Sequence, residues 1–154
     1  MDINIVGIII VALFLLGTAF HLRKRKTLII TSYVKPMLKI SLLIIAVIFI
    51  SMAHLIRGET VDYLIALSAI GFMISSIYSQ GISEEGVCYF TGKTFILSTA
   101  PWNSIKKATL SEGEILGIEF SGKTARFNQA YRGKDTEKIL GILEEHNLDT
   151  EKEK

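Results

Sequence analysis

The residues GIEFSGKT, positions 117–124, satisfy G-x-x-x-x-G-K-[ST], the spacing of a loop that cradles phosphate. That chemistry needs a helix directly after the loop, because the helix N-terminus supplies the amide dipoles that hold the anion. The surroundings do not provide it. The first glycine lies inside an alternating run, EILGIEF, and the second falls in a turn. TARFNQ, which follows, alternates as another strand. A near copy, FTGKT at 90–94, occupies a second turn. Gly122 is therefore expected to supply a turn conformation and Lys123 a charged tip, with no nucleotide bound.

The remaining reactive residue types point away from catalysis as well. The single cysteine, Cys88, sits in an alternating run with no histidine near it in sequence, and reads as a buried structural thiol. One cysteine also excludes an internal disulfide. His146 lies near the charged end of a helical pattern and reads as solvent-exposed. Glu84, Glu85, Glu112, Glu114 and Glu119 fall in turns and at strand ends, as a solvated face does. No H-E-x-x-H, G-x-S-x-G or metal-spaced set is present. The expectation is a non-enzymatic protein with no cofactor and no metal.

The elements that carry these residues divide into two halves. Residues 3–22, 37–56 and 61–80 are three apolar stretches, each roughly the 20 residues a helix needs to cross a bilayer. Residues 1–80 hold seven Lys/Arg against three acids, and residues 81–154 hold ten against twelve. The first stretch is expected to be a retained span in preference to a cleaved signal peptide, since its cations follow it, in HLRKRK, where a signal peptide carries them in front. Arg23, Lys24, Arg25, Lys26 and Lys35 all lie in the first connection, 21–36, whereas the second, 57–60, is short and nearly neutral. The positive-inside rule then places the N-terminus outside, the second and third spans in a tight hairpin, and the C-terminal half in the cytoplasm.

Several polar groups border the spans. Arg23, Lys24, Arg25 and Lys26 set topology and are candidates to hold anionic lipid headgroups. Lys39 reads as a side chain snorkelling to the headgroups. His54 and Asp62 flank the outer turn and are a candidate polar pair. Ser68, Gly71 and Ser75 share one face of the third span, where small residues let another helix approach closely.

After Gly81 the hydrophobic period changes to two. Runs around 87–90, 94–98, 102–110, 114–120 and 124–129 read as five short strands, with Leu116, Ile118 and Phe120 on one face and Ala125 with Phe127 on another. Turns are expected at 91–93, 111–113 and 121–123. From Asp135, a plausible N-cap, DTEKILGILEEHNL places Ile139, Ile142 and Leu143 on one helical face, able to cover an open sheet. The tail 150–154 is charged and expected to fray. This half is net negative with no basic stripe, which argues against nucleic acid.

Glu85-Gly86-Val87, the Trp102-to-Ile105 segment and the closing helix at 135–148 resemble a bacterial pleckstrin-homology-like domain in a small membrane protein. The resemblance implies an α+β plan: three transmembrane helices (1–80), then a small antiparallel β domain closed by an amphipathic helix (81–149). It brings no catalytic residues. It implies a protein- or lipid-binding module, with Trp102 as a candidate domain anchor. It also implies a role such as self-protection against a membrane-active peptide, as in bacteriocin immunity. The alternative is an accessory subunit of a transporter. The expected partners are the anionic bilayer surface and a membrane-active peptide or membrane protein.

Overall fold

The structure, a computed structural model, describes residues 3–91, 97–111, 113–122 and 126–152. The turn tips expected at Gly92 and Lys93, at Glu112 and at Lys123 lie outside the described residues, as do 94–96 and 124–125 at the starts of two expected strands, Ala125 among them, and the first two and last two positions.

Three helices are long and apolar enough to cross a membrane. The first, α1 (Ile3–Lys26), runs straight through the basic cluster expected to lie in a loop. Its last turn holds Arg23, Lys24, Arg25 and Lys26. Cations there complement the negative end of the helix dipole, so the helix continues where the apolar stretch stops. The second, α2 (Pro36–Ile56), begins with proline in its first turn, where no backbone donor is lost. The third, α3 (Thr60–Tyr78), opens with a capping box made by Glu59 and Asp62. Helix α3 packs against both α1 and α2. All the exposed large hydrophobic residues except Ile29 and Ile115 lie on these three helices, forming the apolar coat that lipid would cover.

The connection between α1 and α2 is not a plain loop. Leu28–Thr31 forms a strand, β1, which pairs antiparallel with β2 (Gly81–Ser83). Residues 81–83, which precede the first strand expected from the sequence, are therefore sheet. Next come β3 (Gly86–Phe90) and β4 (Leu97–Pro101), giving a four-stranded sheet in the order β1-β2-β3-β4. Gly86 has φ +150, and a Cβ there would overlap the Ala100 carbonyl oxygen, so only glycine fits this crossing.

Trp102–Ser104, expected to begin a strand, is a short 3₁₀ turn, and the strand β5 starts at Ile105 and ends at Ser111. Strands β6 (Ile115–Gly122) and β7 (Arg126–Arg132) continue the meander. After a 3₁₀ turn at Gly133–Asp135 comes α4 (Thr136–Glu145). The tail expected to fray forms β8 (Asp149–Lys152), which pairs parallel with β5. The second sheet has the order β7-β6-β5-β8. The described residues thus contain eight strands where the sequence suggests five.

The two sheets are joined twice. The chain passes from β4 through the Trp102–Ser104 turn into β5, an inner strand of the second sheet. Elsewhere the Tyr33 N–H donates to the Ala130 carbonyl at 2.6 Å, stitching the extension of β1 to the edge strand β7. One core lies between them: Ile30, Ile82, Val87, Leu110, Leu116, Ile118, Phe120 and Tyr131, closed by Ile139 and Leu143 of α4. Each fully buried aliphatic or aromatic side chain of this kind contributes about 1.5–3 kcal/mol. The inward set Leu116, Ile118 and Phe120 matches the alternation in the sequence. The α+β plan of apolar helices followed by sheets holds.

A candidate binding cleft between the helices and the β module

Helices α1 to α4, strands β1 and β7 and a 3₁₀ turn converge on a cleft of about 380 Å³. Arg25 reaches it from the last turn of α1, and Lys39 from the first turn of α2. Residues Ile29 to Val34, β1 and its extension, form one wall. Arg132 ends β7, Lys134 lies in the 3₁₀ turn that follows, and Lys138 sits in the first turn of α4. The Tyr33–Ala130 hydrogen bond holds the end of β7 beside the helix connection and so brings these three cations to the first two.

Among the described residues, Asp135 is the one carboxylate on the lining. The ion pairs among the described residues are Lys24–Glu85, Arg57–Asp62, Lys107–Glu151 and Arg126–Glu119, and none uses a cleft cation. Five like charges, all of them exposed, around one depression make its potential positive.

The predicted residues separate accordingly. Of the basic cluster, Arg25 enters the cleft, while Lys24 turns to Glu85 in the β2–β3 turn at 3.6 Å. Arg23 and Lys26 are exposed. Lys39, read as snorkelling, is exposed and lines the cleft. His54 and Asp62 do not pair: His54 Nδ1 meets the Tyr63 hydroxyl at 2.8 Å, and Asp62 accepts from Arg57 at 3.2 Å and from the Glu59 N–H at 3.3 Å. The local demand of the α3 N-terminus for an acceptor outcompetes a contact across the turn.

Of Ser68, Gly71 and Ser75, the two serines are buried and Ser75 meets His21 of α1, whereas Gly71 makes no close crossing. A Cβ on Gly71 would meet nothing within 4 Å. The tight contacts are supplied by α1, where a Cβ on Gly7 would overlap Val61 and one on Gly17 would overlap the Phe72 ring. Ser68 and Ser75 donate to their own helix, to the Ile65 and Phe72 carbonyls. Since the Ser75 proton is committed to Phe72, His21 Nδ1 is the donor in the 3.0 Å His21–Ser75 contact. His21 is 1% exposed and stacks on Phe72, fastening α1 to α3.

Trp102 is buried. Its Nε1–H donates to the Glu84 carbonyl at 3.0 Å, and its ring stacks on His146, which the sequence reads as merely solvated. It ties the β2–β3 turn to the C-terminal end of α4. Cys88 is buried in β3, with its sulfur 3.5 Å from the Thr99 hydroxyl. Its carbonyl accepts from Gln129 Nε2 at 2.7 Å, and Gln129 Oε1 in turn accepts from the Tyr131 hydroxyl, a polar link between the sheets. Burial, reinforced by the nearby Cys88, holds the Tyr131 phenol well above its ordinary value of 10.0.

The GIEFSGKT stretch has β6 through Gly122 and β7 from Arg126, so strands flank it on both sides. Gly122 is not free in a turn. It ends β6 opposite Ile105, and a Cβ there would overlap the Ser104 carbonyl oxygen.

Arg132, Lys134 and Lys138 are the cleft residues that sequence reading passes over. Their signal is weak, three cations within seven positions around a turn, and only the fold sets them beside Arg25 and Lys39. A comparison with protein-family models finds none that matches this chain, and a comparison with curated proteins finds none that matches it either.

Proposed function

We propose that this chain is a non-enzymatic membrane protein whose β module, pleckstrin-homology-like in plan and cytoplasmic in location, binds its partner at the basic cleft. The observation that carries this reading is the composition of the cleft. The ends of α1 and α2 supply two of its cations, and the β module supplies three. A site assembled from both halves suits a protein that acts where the bilayer meets the cytoplasm. The excess of Lys/Arg in the α1–α2 connection favours the cytoplasmic side for it. The non-enzymatic reading draws support from the uses of the reactive groups: Cys88, Tyr131 and His146 are all engaged in packing or in structural hydrogen bonds.

In-cell photo-crosslinking tests the reading, with a benzophenone amino acid at Ile29 in the cleft and, as a control, at Thr109 on β5. A crosslinked species from Ile29 alone is expected. No crosslink from Ile29, or the same species from both positions, would remove the cleft as the binding face. Self-protection against a membrane-active peptide, the setting implied by the resemblance, predicts that deleting the gene sensitises the producing cell to that peptide. Unchanged sensitivity would end that part of the proposal.

A further inference from the structure

We infer that the cleft binds a phosphate-bearing anion, with the phosphate seated between Arg25, Lys39, Arg132, Lys134 and Lys138. The inference rests on the reading above that the cleft is the binding face, and it names the ligand chemistry.

Charge comes first. Five cations face one carboxylate, and among the described residues none of the five has an internal counter-ion. The donor types come second. Arg25 and Arg132 bring planar forks that match pairs of phosphate oxygens, while three lysines add mobile point charges. Depth is the third argument. Arg25 lies one residue before the end of α1 and Lys39 in the first turn of α2, so both sit where the apolar spans give way to polar chain, the level of a bilayer's phosphate layer.

Size decides against a macromolecule. About 380 Å³ lies near the lower end of small-ligand sites, which run from about 300 to 1,000 Å³. That holds a headgroup or a small phosphate compound, and is too little for a peptide segment with its side chains. The rest of the lining fits the remainder of such a ligand. Asp135 offers an acceptor for a hydroxyl, and Ile29, 38% exposed amid the cations, offers an apolar contact for a glycerol or the first methylenes of a chain.

Two sources carry this chemistry, an anionic phospholipid and a soluble phosphate compound, and one titration separates them. Purified full-length protein in neutral detergent is titrated, at two salt concentrations, with dioctanoyl phosphatidylglycerol, with dioctanoyl phosphatidylcholine and with inorganic pyrophosphate. The same titrations are made on Arg132→Gln, Lys138→Gln and, as an off-cleft control, Lys106→Gln, each verified as folded by its melting curve. The expected result is saturable binding of phosphatidylglycerol, weakened about fivefold by each cleft substitution, unaffected by Lys106→Gln, and reduced by salt. Pyrophosphate binding that displaces the lipid, with the same dependence on Arg132 and Lys138, identifies the soluble source instead and equally supports the phosphate site. The inference is overturned if neither anion binds, if phosphatidylcholine binds as well as phosphatidylglycerol, or if Lys106→Gln weakens binding as much as the cleft variants do. Should the anions fail while Ile29 crosslinks a protein in cells, the ligand class is wrong and the cleft remains the binding face.

Discussion

Ile30 and Ile82 stand opposite each other across β1 and β2, and both are buried in the core of the β module. One comes from the connection between two apolar helices, the other from the chain beyond the third. Replacing Ile30 with Ala leaves a cavity in that core. The expected loss is about 2–4 kcal/mol, read as a lower melting temperature and faster proteolysis of residues 81–152 in the full chain. Ile29→Ala, one position away on the exposed face, should leave both unchanged. Equal effects from the two would show that β1 is not part of the core.

Gly17 and Gly71 should respond oppositely to the same change. Gly17→Ala pushes a methyl into the Phe72 ring and is expected to cost about 1–3 kcal/mol in the α1–α3 packing. Gly71→Ala meets open space and gains helix propensity, so stability should hold or rise by up to about 1 kcal/mol. Thermal melts of the detergent-solubilised protein compare them. Loss of stability at Gly71 alone would place the tight crossing on the face first expected from Ser68, Gly71 and Ser75.

Asp62 serves the start of α3. Removing its carboxylate in Asp62→Ala should cost about 1 kcal/mol, the usual worth of a helix cap. A double-mutant cycle with Arg57→Ala should show coupling of about 1 kcal/mol, as for a pair whose carboxylate is largely covered while its guanidinium stays exposed. The same cycle with His54→Gln should be additive. Coupling to His54 and none to Arg57 would reverse the assignment.

Tyr131 makes the module sensitive to alkali. Its folded-state pKa is raised, by burial first and the Cys88 charge second, so below pH 10 the phenol is protonated in both states and adds no slope. Above pH 10 the unfolded chain releases a proton that the folded chain keeps, and stability falls as pH rises. Melting temperatures measured from pH 8 to about pH 11 should drop more steeply in the native protein than in Tyr131→Phe. Parallel curves would mean that the phenol ionises without unfolding.

Local pattern carried much of this architecture. The three spans follow from length and apolarity alone. Leu116, Ile118 and Phe120 face inward as their alternation predicts, and Ile139 and Leu143 form the buried stripe of α4. What the sequence could not display depends on partners far along the chain. LIIT at 28–31 is a strand because β2 offers it an edge; four residues after a basic cluster carry no period to read. DTEK at 149–152 is charged and fully exposed, and its strand state comes from backbone bonding to β5. Arg132, Lys134 and Lys138 read as solvated charge until the Tyr33–Ala130 hydrogen bond sets them against the helix ends. At His54 and Asp62 proximity is legible in the sequence, but the start of α3 claims Asp62 locally and leaves His54 to Tyr63.

The position of β1 also imposes an order on synthesis. The ribosome delivers this strand before α2 and α3, and its neighbour β2 only after both. In a bilayer, β1 must therefore wait, an unmated edge, while the helical hairpin is inserted. If the hairpin crosses fully, the two strands emerge on the same side and the sheet closes. If only one of its helices inserts, β1 and β2 are stranded on opposite sides and the module never forms. Closure of the first sheet thus depends on the hairpin between its first two strands being threaded as a unit.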